Sequence, residues 1–292
     1  MIQASANLRA GAEALAAGLP PLLAAAERLA HGVVPGVHGR RRAGMGETFW
    51  QYRQAMPGDP ATAIDWRRSA RGDTLFIRET EWEAAQSVQF WVDPAAGMGF
   101  LSADNPPKSG RAQLLALALA VLLTRSGERI GLLGTALDVP RAGRNQLNRL
   151  AATLADQPAL PDTEPMPKSG PSIPGHYVLI SDFLMDEAAL LTGLAGLAQR
   201  GVRGALLQVT DPAEEAFPYD GRVIFESMSG TLNFETRRAR ALRAAYQNRL
   251  AERRALLSDW ARRHGWQFST HRTDSAPSTA LLWLYAAIGG GR

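Results

Sequence analysis

The sequence contains no cysteine, which excludes disulfide bonds, thiolate nucleophiles and cysteine-ligated zinc. Lysine is nearly absent too: Lys108 and Lys168 are the two lysines among 32 basic residues, and the others are arginines. Long apolar runs are also missing. The longest, Leu114–Leu123, is about half as long as a membrane-spanning helix needs to be. We therefore expect no thiol chemistry and no membrane insertion.

Residues 1–31 have neither the basic start nor the continuous apolar stretch of a signal peptide, so a cytoplasmic protein is expected. The net charge of +4 and the arginine excess suit pairing with carboxylates or phosphates. The abundance of alanine and glycine, which GC-rich codons specify, is a simpler explanation for arginine replacing lysine. The charge alone is therefore weak evidence for nucleic-acid binding.

Three regions follow one another along the chain. Residues 1–31 form an N-terminal helical segment that Pro20-Pro21 interrupts. Alternating apolar and polar residues at Thr48–Tyr52 and Leu75–Glu83 predict strands, and they indicate a small β-rich module over residues 32–86. From residue 87 to 292, apolar strands alternate with helices, apart from a polar hairpin at 219–236.

This alternation predicts an α/β fold with a doubly wound, mostly parallel sheet covered by helices on both faces. Right-handed crossovers bring the carboxyl ends of parallel strands to one edge of the sheet, where ligands usually bind. Asp93 follows the first predicted strand and Asp182 the third. Both residues are expected at that edge.

Motifs for nucleotide chemistry and for nucleophilic catalysis are missing from the sequence. It contains no GxxxxGK[ST] loop, no strand followed by GxGxxG and no Gly-x-Ser-x-Gly elbow. The five histidines do not have the spacing of a zinc site. We therefore expect a protein that is not an enzyme.

The most distinctive segment is GDPATAIDWRRSAR at residues 58–71, where a turn precedes a dense run of Asp, Trp and Arg. Together with its flanks at 39–53 and 75–83, it resembles the DUF58 family, and the resemblance covers roughly residues 31–290. The resemblance implies a von Willebrand factor A-like domain coupled to the β-rich module. It also implies work alongside MoxR-type AAA+ ATPases, which are proposed to act as chaperones in maturing or assembling protein complexes.

In von Willebrand factor A domains, the carboxyl edge of the sheet carries a Mg²⁺ site built from Asp-x-Ser-x-Ser, a loop threonine and a later aspartate. The matching positions here are Asp93 and Asp182, but Ala95 and Gly97 stand where the two serines would be. We expect a degenerate site with no metal or at most weak Mg²⁺ binding, because two carboxylates alone hold Mg²⁺ poorly. The two aspartates would then be structural, capping a helix or pairing with an arginine such as Arg144.

Two interpretations of the 58–71 segment remain open. In the first, it is an internal clasp in which Trp66 packs beneath the module and Asp65 holds an arginine in a charge-assisted fork. In the second, Asp65, Trp66, Arg67 and Arg71 form an exposed contact for a partner protein.

An arginine-rich helix is predicted over residues 238–264. Its apolar stripe comprises Leu242, Tyr246, Leu250, Leu257 and Trp260. The arginines expected on its outer face are Arg240, Arg243, Arg249, Arg253, Arg254, Arg262 and Arg263. This face could be simply solvated, could dock an acidic protein or could bind nucleic acid.

The leading hypothesis is a non-enzymatic adaptor that binds a MoxR-type ATPase, an unknown client protein or both. Its contacts would be the carboxyl edge of the sheet, the 58–71 segment and the arginine-rich helix, where Arg249 and Arg253 are the candidate contact residues. The alternative is a nucleic-acid-binding protein that uses its arginine-rich segments.

Overall fold

The computed structural model describes residues 21–33, 41–44, 48–72, 74–83, 85–161, 166, 175–228, 230 and 233–289. The chain forms two units, one of residues Val37–Gln86 and one of Met1–Gly36 with Ser87–Arg292. The helix predicted ahead of Pro20 lies outside the described residues. Among the described residues, no helix is both long and apolar enough to cross a membrane.

The elements are numbered along the chain. The helices are α1 (Pro21–His31), α2 (Trp66–Ser69), α3 (Lys108–Arg125), α4 (Arg144–Ala155), α5 (Glu187–Gln199), α6 (Pro212–Ala216), α7 (Ala239–Arg263) and α8 (Pro277–Gly289). The strands are β1 (Arg41–Gly44), β2 (Thr48–Gln54), β3 (Phe76–Glu83), β4 (Ser87–Val92), β5 (Arg129–Leu132), β6 (His176–Ser181), β7 (Arg203–Thr210), β8 (Val223–Glu226), β9 (Asn233–Thr236) and β10 (Gln267–Arg272).

The larger unit is built on a five-stranded sheet in the order β5-β4-β6-β7-β10, and every neighbouring pair is parallel. Strand β4 has β5 on one side and β6 on the other, so the chain winds outward from β4 in both directions. The predicted doubly wound α/β fold is confirmed, and it is consistent with a von Willebrand factor A-like arrangement. The hairpin β8–β9 forms a separate two-stranded sheet.

The sheet separates two apolar layers because side chains alternate between its faces. On β6, Val178 and Ile180 belong to the layer that contains α1, α3, α4 and α8. Tyr177 and Leu179 belong to the opposite layer, with α5 and α7. Helix α3 is buried on nearly all sides in the first layer, which explains why its sequence is apolar around its whole circumference.

Several helices begin where the sequence supplies a suitable first residue. Helix α1 begins at Pro21, and proline is favoured at the first helical position because its missing N–H needs no partner there. Asp186 precedes α5 and accepts a hydrogen bond from the amide of Ala189 at 3.0 Å. Asp211 and Glu214 form a reciprocal capping box around α6.

The smaller unit contains a three-stranded antiparallel sheet in the order β1-β3-β2. Strands β2 and β3 correspond to the two strands predicted in the module. The connection between them holds a 3₁₀ turn at Ala61–Ala63 and the single-turn helix α2. This connection is the distinctive 58–71 segment.

Candidate functional site

Asp93 and Asp182 lie at the carboxyl edge of the parallel sheet, directly after the neighbouring strands β4 and β6. This is the point where the winding of the sheet changes direction, the usual position of a ligand crevice in open α/β sheets. Both aspartates are buried, and both line a cleft of about 300 Å³ that also contains Lys108, Glu214 and Glu226. We call it the acidic cleft. The topology thus brings the two predicted residues together.

Lys108 supplies the cation of this cleft from the first turn of α3. Its Nζ lies 2.6 Å from Oδ2 of Asp182 and 2.5 Å from Oε1 of Glu214, and its side chain is 1% exposed. Burial alone would lower the pKa of Lys108, but the two carboxylates outweigh burial and raise the pKa above its ordinary value. The ammonium therefore stays charged and joins α3, β6 and α6.

The Asp93 carboxylate is held by donors from its own surroundings. Ser181 Oγ donates to Oδ2 at 2.5 Å, and the amide of Ala95 donates to Oδ1 at 2.9 Å. Burial raises the pKa of Asp93 to about 6, although these two hydrogen bonds oppose the rise. Asp93 therefore titrates much closer to neutral pH than an ordinary aspartate.

The residues at this edge do not fit a Mg²⁺ ion. Ala95 and Gly97 have no side-chain oxygen, and both oxygens of Asp182 already accept hydrogen bonds, from Lys108 and from the amide of Leu184. An ammonium bound to that carboxylate also repels a divalent cation. Within the part of the chain that the structure describes, no three His, Cys, Asp or Glu side chains are placed to hold a metal ion.

The predicted pairing of Arg144 with one of these aspartates is wrong. Its guanidinium lies 3.3 Å from the Glu27 carboxylate on α1, whereas Asp182 pairs with Lys108. Arg144 begins α4 beside the outer strand β5, while Asp182 follows the more central β6. The cation that reaches Asp182 comes from α3.

Another buried carboxylate, that of Asp211, holds the neighbouring loop in place. It follows β7 and accepts hydrogen bonds from the amides of Ser102 at 3.0 Å and Ala213 at 2.8 Å, and from the Ser102 hydroxyl. Arg111, one turn after Lys108, donates to the carbonyl oxygens of Thr273 at 2.7 Å and Ser275 at 2.6 Å. Hydrogen bonds of Asp211 and Arg111 thus hold the loops at the carboxyl edge in place.

Two larger cavities flank the acidic cleft. One, of about 650 Å³, lies beside β4 and β5 and is lined by Asp93, Thr135, Thr153 and Asp156 among others. Thr153 lies within α4.

The other cavity has a volume of about 510 Å³ and is lined mainly by the rings of Phe100, Phe217, Tyr219, Phe225 and Tyr246. We call it the aromatic pocket. Glu214 lines both this pocket and the acidic cleft, so the two are adjacent.

In the smaller unit, the 58–71 segment forms a network of local hydrogen bonds. Asp59 closes the turn by accepting from the amide of Met56, and it pairs with both terminal nitrogens of Arg53 at 2.7 Å. Asp65 caps α2 through the amide of Arg68 at 3.0 Å and accepts from the Tyr52 hydroxyl at 3.1 Å. An arginine fork of the kind expected on Asp65 is formed by Arg53 on Asp59.

Ser69 connects α2 to β3. Its hydroxyl donates to the carbonyl oxygen of Asp65 at 2.8 Å and accepts from the amide of Phe76 at 2.9 Å. The Arg68 guanidinium lies over the Tyr52 ring, 4.8 Å from its centroid. The polar residues of the segment thus hold α2 against the strands of the module.

The predicted packing of Trp66 beneath the module is wrong, because the Trp66 side chain is 61% exposed. Helix α2 has one turn, and its buried side is occupied by Ser69. Trp66, Arg67 and Arg71 are all exposed as a result. The segment combines an internal network with an outward-facing surface formed by these three residues.

Helix α7 follows its predicted pattern only in part. Leu250, Leu257 and Trp260 are buried as expected. The predicted outer placement of Arg253 and Arg254 is wrong, because each lies three or four residues from both Leu250 and Leu257 and so shares their face of the helix.

The buried-side arginines of α7 have partners. The Arg253 side chain is 16% exposed and lies 3.8 Å from the Glu187 carboxylate. Arg254 donates to Gln208 at 2.9 Å and pairs with Glu215. Arg249, in contrast, is exposed at the rim of the aromatic pocket. The structure therefore separates the two arginines that were predicted to act together.

Lys108, Asp211 and Glu214 are the site residues that the sequence predictions missed. A capping-box pattern follows the apolar strand at Asp211-Pro212-Ala213-Glu214, and this signal could have identified Asp211 and Glu214. Lys108 is a rare lysine in an arginine-rich chain. Its compact ammonium suits a site between two carboxylates that a planar guanidinium fits less well.

Comparison with known proteins identifies a family rather than an activity. The family model described as "Protein of unknown function DUF58" matches residues 51–256. No curated protein matches the chain.

Two solved structures are similar to this chain at 13% sequence identity. One is an aerotolerance-related membrane protein from Bacteroides fragilis NCTC 9343, which covers 70% of this chain and 100% of its own with a TM-score of 0.40. The other is the conserved hypothetical protein BatB from Bacteroides thetaiotaomicron, which covers 71% and 100% with a TM-score of 0.41.

Proposed function

The chain belongs to the DUF58 family, and from this premise we propose that it is a non-enzymatic adaptor that acts by binding other proteins. The expected partner is a MoxR-type AAA+ ATPase, a client of that ATPase or both. The outcome of binding would be chaperone-like maturation or assembly of a protein complex. Recognition would rest on shape and on pairing between arginines and carboxylates, without a bridging metal.

The observation that carries the proposal is the position of the Lys108 ammonium, within 2.6 Å of both the Asp182 and Glu214 carboxylates. A cation from the chain itself occupies the crevice in which an open α/β sheet usually binds its ligand. Because this cation is fully committed to internal carboxylates, the cleft supports a rigid surface better than it supports exchange of a metal or a substrate group.

The carboxylates of the edge support the same conclusion. Asp93, Asp182, Asp211 and Glu214 each accept at least two hydrogen bonds from the protein, several of them from backbone amides. A general base needs a free lone pair within reach of a substrate proton. These groups instead stabilise loop geometry, which favours a binding role.

Two exposed surfaces are available for partners. In the smaller unit, Trp66, Arg67 and Arg71 are exposed, and tryptophan and arginine are the residues most enriched at energetically dominant positions of interfaces. In the larger unit, the aromatic pocket opens beside Arg249. Each surface presents rings next to unburied guanidinium groups.

Nucleic-acid binding is the alternative, and the arginines of α7 argue against it. Most of those on its second half are engaged by the protein's own carboxylates: Arg253 with Glu187, Arg254 with Glu215, and Arg262 and Arg263 with Asp259. Arginines that are committed in this way release fewer counterions when they approach a phosphate backbone. The helix is therefore less suited to a polyanion than its sequence indicates.

The test is affinity capture of the tagged chain from native lysate, with and without nuclease and with ATP or ADP added, read by mass spectrometry. The proposal predicts nuclease-resistant, nucleotide-sensitive recovery of a AAA+ ATPase. Recovery of nuclease-sensitive material without an ATPase would contradict it. A labelled oligonucleotide at low and moderate salt provides the control, because phosphate-driven binding weakens steeply as salt rises.

A further inference from the structure

The aromatic pocket is a preformed cavity whose walls are rings that brace one another. Phe217 is central to it: its ring centroid lies 5.1 Å from that of Tyr246, 5.2 Å from Tyr219 and 5.7 Å from Phe225. Tyr219 and Phe225 also meet edge to face at 5.3 Å. Such ring pairs attract one another beyond the effect of their burial, so the rings brace the walls of the pocket.

The backbone at Phe217 also points to a built site. Phe217 directly follows α6 in the left-handed conformation, with φ of 47°, which bulky residues rarely adopt. Its carbonyl oxygen accepts a hydrogen bond from Arg243 Nε at 2.9 Å. The left-handed turn and this hydrogen bond together fix the position of the Phe217 ring.

Two charged residues line the pocket, and only one of them is available to a ligand. Glu214 Oε1 accepts from Lys108 Nζ at 2.5 Å and Oε2 from the amide of Asp211 at 2.9 Å. Arg249 is exposed, and it makes no hydrogen bond or ion pair with any residue that the structure describes. A ligand in this pocket therefore meets apolar rings and one uncompensated guanidinium.

The apolar surface continues from the pocket onto the β8–β9 hairpin. Phe234 is the register partner of Phe225, so the two side chains lie on the same face of the hairpin. Phe225 lines the pocket, whereas Phe234 is 55% exposed. A ligand that fills the pocket could therefore also contact the exposed ring of Phe234.

We propose that this pocket binds an acidic peptide segment of a partner protein. An aromatic or leucine side chain of the segment enters the pocket, and a neighbouring carboxylate pairs with Arg249. A cationic ligand is disfavoured at the rim, because the guanidinium of Arg249 lies there. The inference rests on the proposed function, since it names the chemistry of the partner that an adaptor would bind.

The pocket can be observed directly by ¹⁹F NMR of the full chain labelled with 3-fluorotyrosine. The chain has five tyrosines, and two of them, Tyr219 and Tyr246, line the pocket. The probes are short synthetic peptides with a central Asp-Phe-Glu, Asp-Ala-Glu or Lys-Phe-Lys. The Asp-Phe-Glu peptide should shift the Tyr219 and Tyr246 resonances, and the other two should not. Equal shifts with the lysine peptide, or none with Asp-Phe-Glu at millimolar concentration, would overturn the proposal.

Two variants and one matched control locate the contact. Ala245→Trp fills the pocket from α7, and Arg249→Glu reverses its free charge; each should weaken binding of the Asp-Phe-Glu peptide at least tenfold. Arg240→Glu makes the same charge reversal at an exposed position of α7 outside the pocket, and it should change affinity less than twofold. Equal weakening by Arg240→Glu would mean that general charge attraction explains the binding and would overturn the proposal.

The same variants separate this inference from the proposed function. If Ala245→Trp and Arg249→Glu leave recovery of the ATPase unchanged and the peptide does not bind, the pocket proposal fails while the adaptor proposal stands. If the wild-type chain binds the peptide in the pocket but recovers no ATPase, the pocket stands and the ATPase partnership fails. Concentration-dependent shifts of Tyr219 and Tyr246 without peptide would assign the pocket to a second copy of the chain and would overturn the proposal.

Discussion

The Nζ atom of Lys108 lies 2.6 Å from Oδ2 of Asp182 and joins the first turn of α3 to the carboxyl end of β6. This pair accounts for the two features of the edge that matter most. It leaves Asp182 unsuited to a divalent cation. It also supplies a positive charge that stabilises the buried carboxylates at this edge, where the chain lacks the serines of a metal site.

Lys108→Met should destabilise the protein by about 3–5 kcal/mol, because removing one partner of a buried ion pair leaves the other charge unpaired. Urea unfolding monitored by tryptophan fluorescence measures the change. The matched control is the triple variant Lys108→Met, Asp182→Asn, Glu214→Gln, which should regain most of the lost stability because neither carboxylate that Lys108 paired with is left charged without its partner. A loss of less than about 1 kcal/mol in the single variant would contradict the proposed role of the ammonium.

Millimolar Mg²⁺ should change the melting temperature by less than about 1 °C, because a metal that binds the native state would stabilise it by mass action. Differential scanning fluorimetry with Mg²⁺ and with EDTA provides the measurement, and Asp93→Asn is the control variant. A rise of several degrees that EDTA and Asp93→Asn both abolish would contradict the expectation of a degenerate site.

Asp93 should make the native state less stable as the pH rises. Its pKa is raised from 3.8 to about 6, so between these pH values the native state binds the proton that the unfolded chain has released. Stability conferred by this proton is complete below about pH 4 and lost above about pH 6, a change of about 3 kcal/mol.

The measurement for Asp93 is the difference in urea-unfolding free energy between wild type and Asp93→Asn across this pH range. Burial and the charge of Arg111 lower the pKa of His271 to about 4, so the titration of His271 makes the native state more stable as the pH rises. This effect is the same in both proteins, and taking the difference between them removes it. The variant should gain stability relative to wild type as the pH rises. Parallel curves would show that Asp93 titrates normally.

Trp66→Ala should leave the free energy of unfolding within about 0.5 kcal/mol of wild type, because the side chain is largely exposed. Binding to the partner should nevertheless weaken, since an exposed tryptophan next to exposed arginines is typical of an interface. Asp65→Ala is the matched control in the same segment, and it should cost about 1 kcal/mol through loss of the α2 cap. Insoluble or unfolded Trp66→Ala protein would restore the clasp interpretation.

The strands and helices of the larger unit could be predicted from the sequence because buried parallel strands are short apolar runs. The strand containing Phe90, for example, begins at Ser87 as predicted. The positions of Asp93 and Asp182 also followed from a topological rule, since carboxyl ends of parallel strands share an edge. These predictions depend on local pattern and on handedness alone.

The role of Lys108 could not be predicted in this way. Its two partners lie 74 and 106 residues further along the chain, and no local pattern brings them together. The same limit applies to Trp66, whose exposure depends on which side of a single-turn helix faces the sheet.

The most direct test of the central claim is binding between the purified chain and a purified MoxR-type ATPase from the same organism, measured by biolayer interferometry in the ATP and ADP states. The account predicts saturable, nuclease-insensitive binding that depends on the nucleotide and that Trp66→Ala or Arg249→Glu weakens at least tenfold. Absence of binding in both nucleotide states, with all proteins folded, would contradict it.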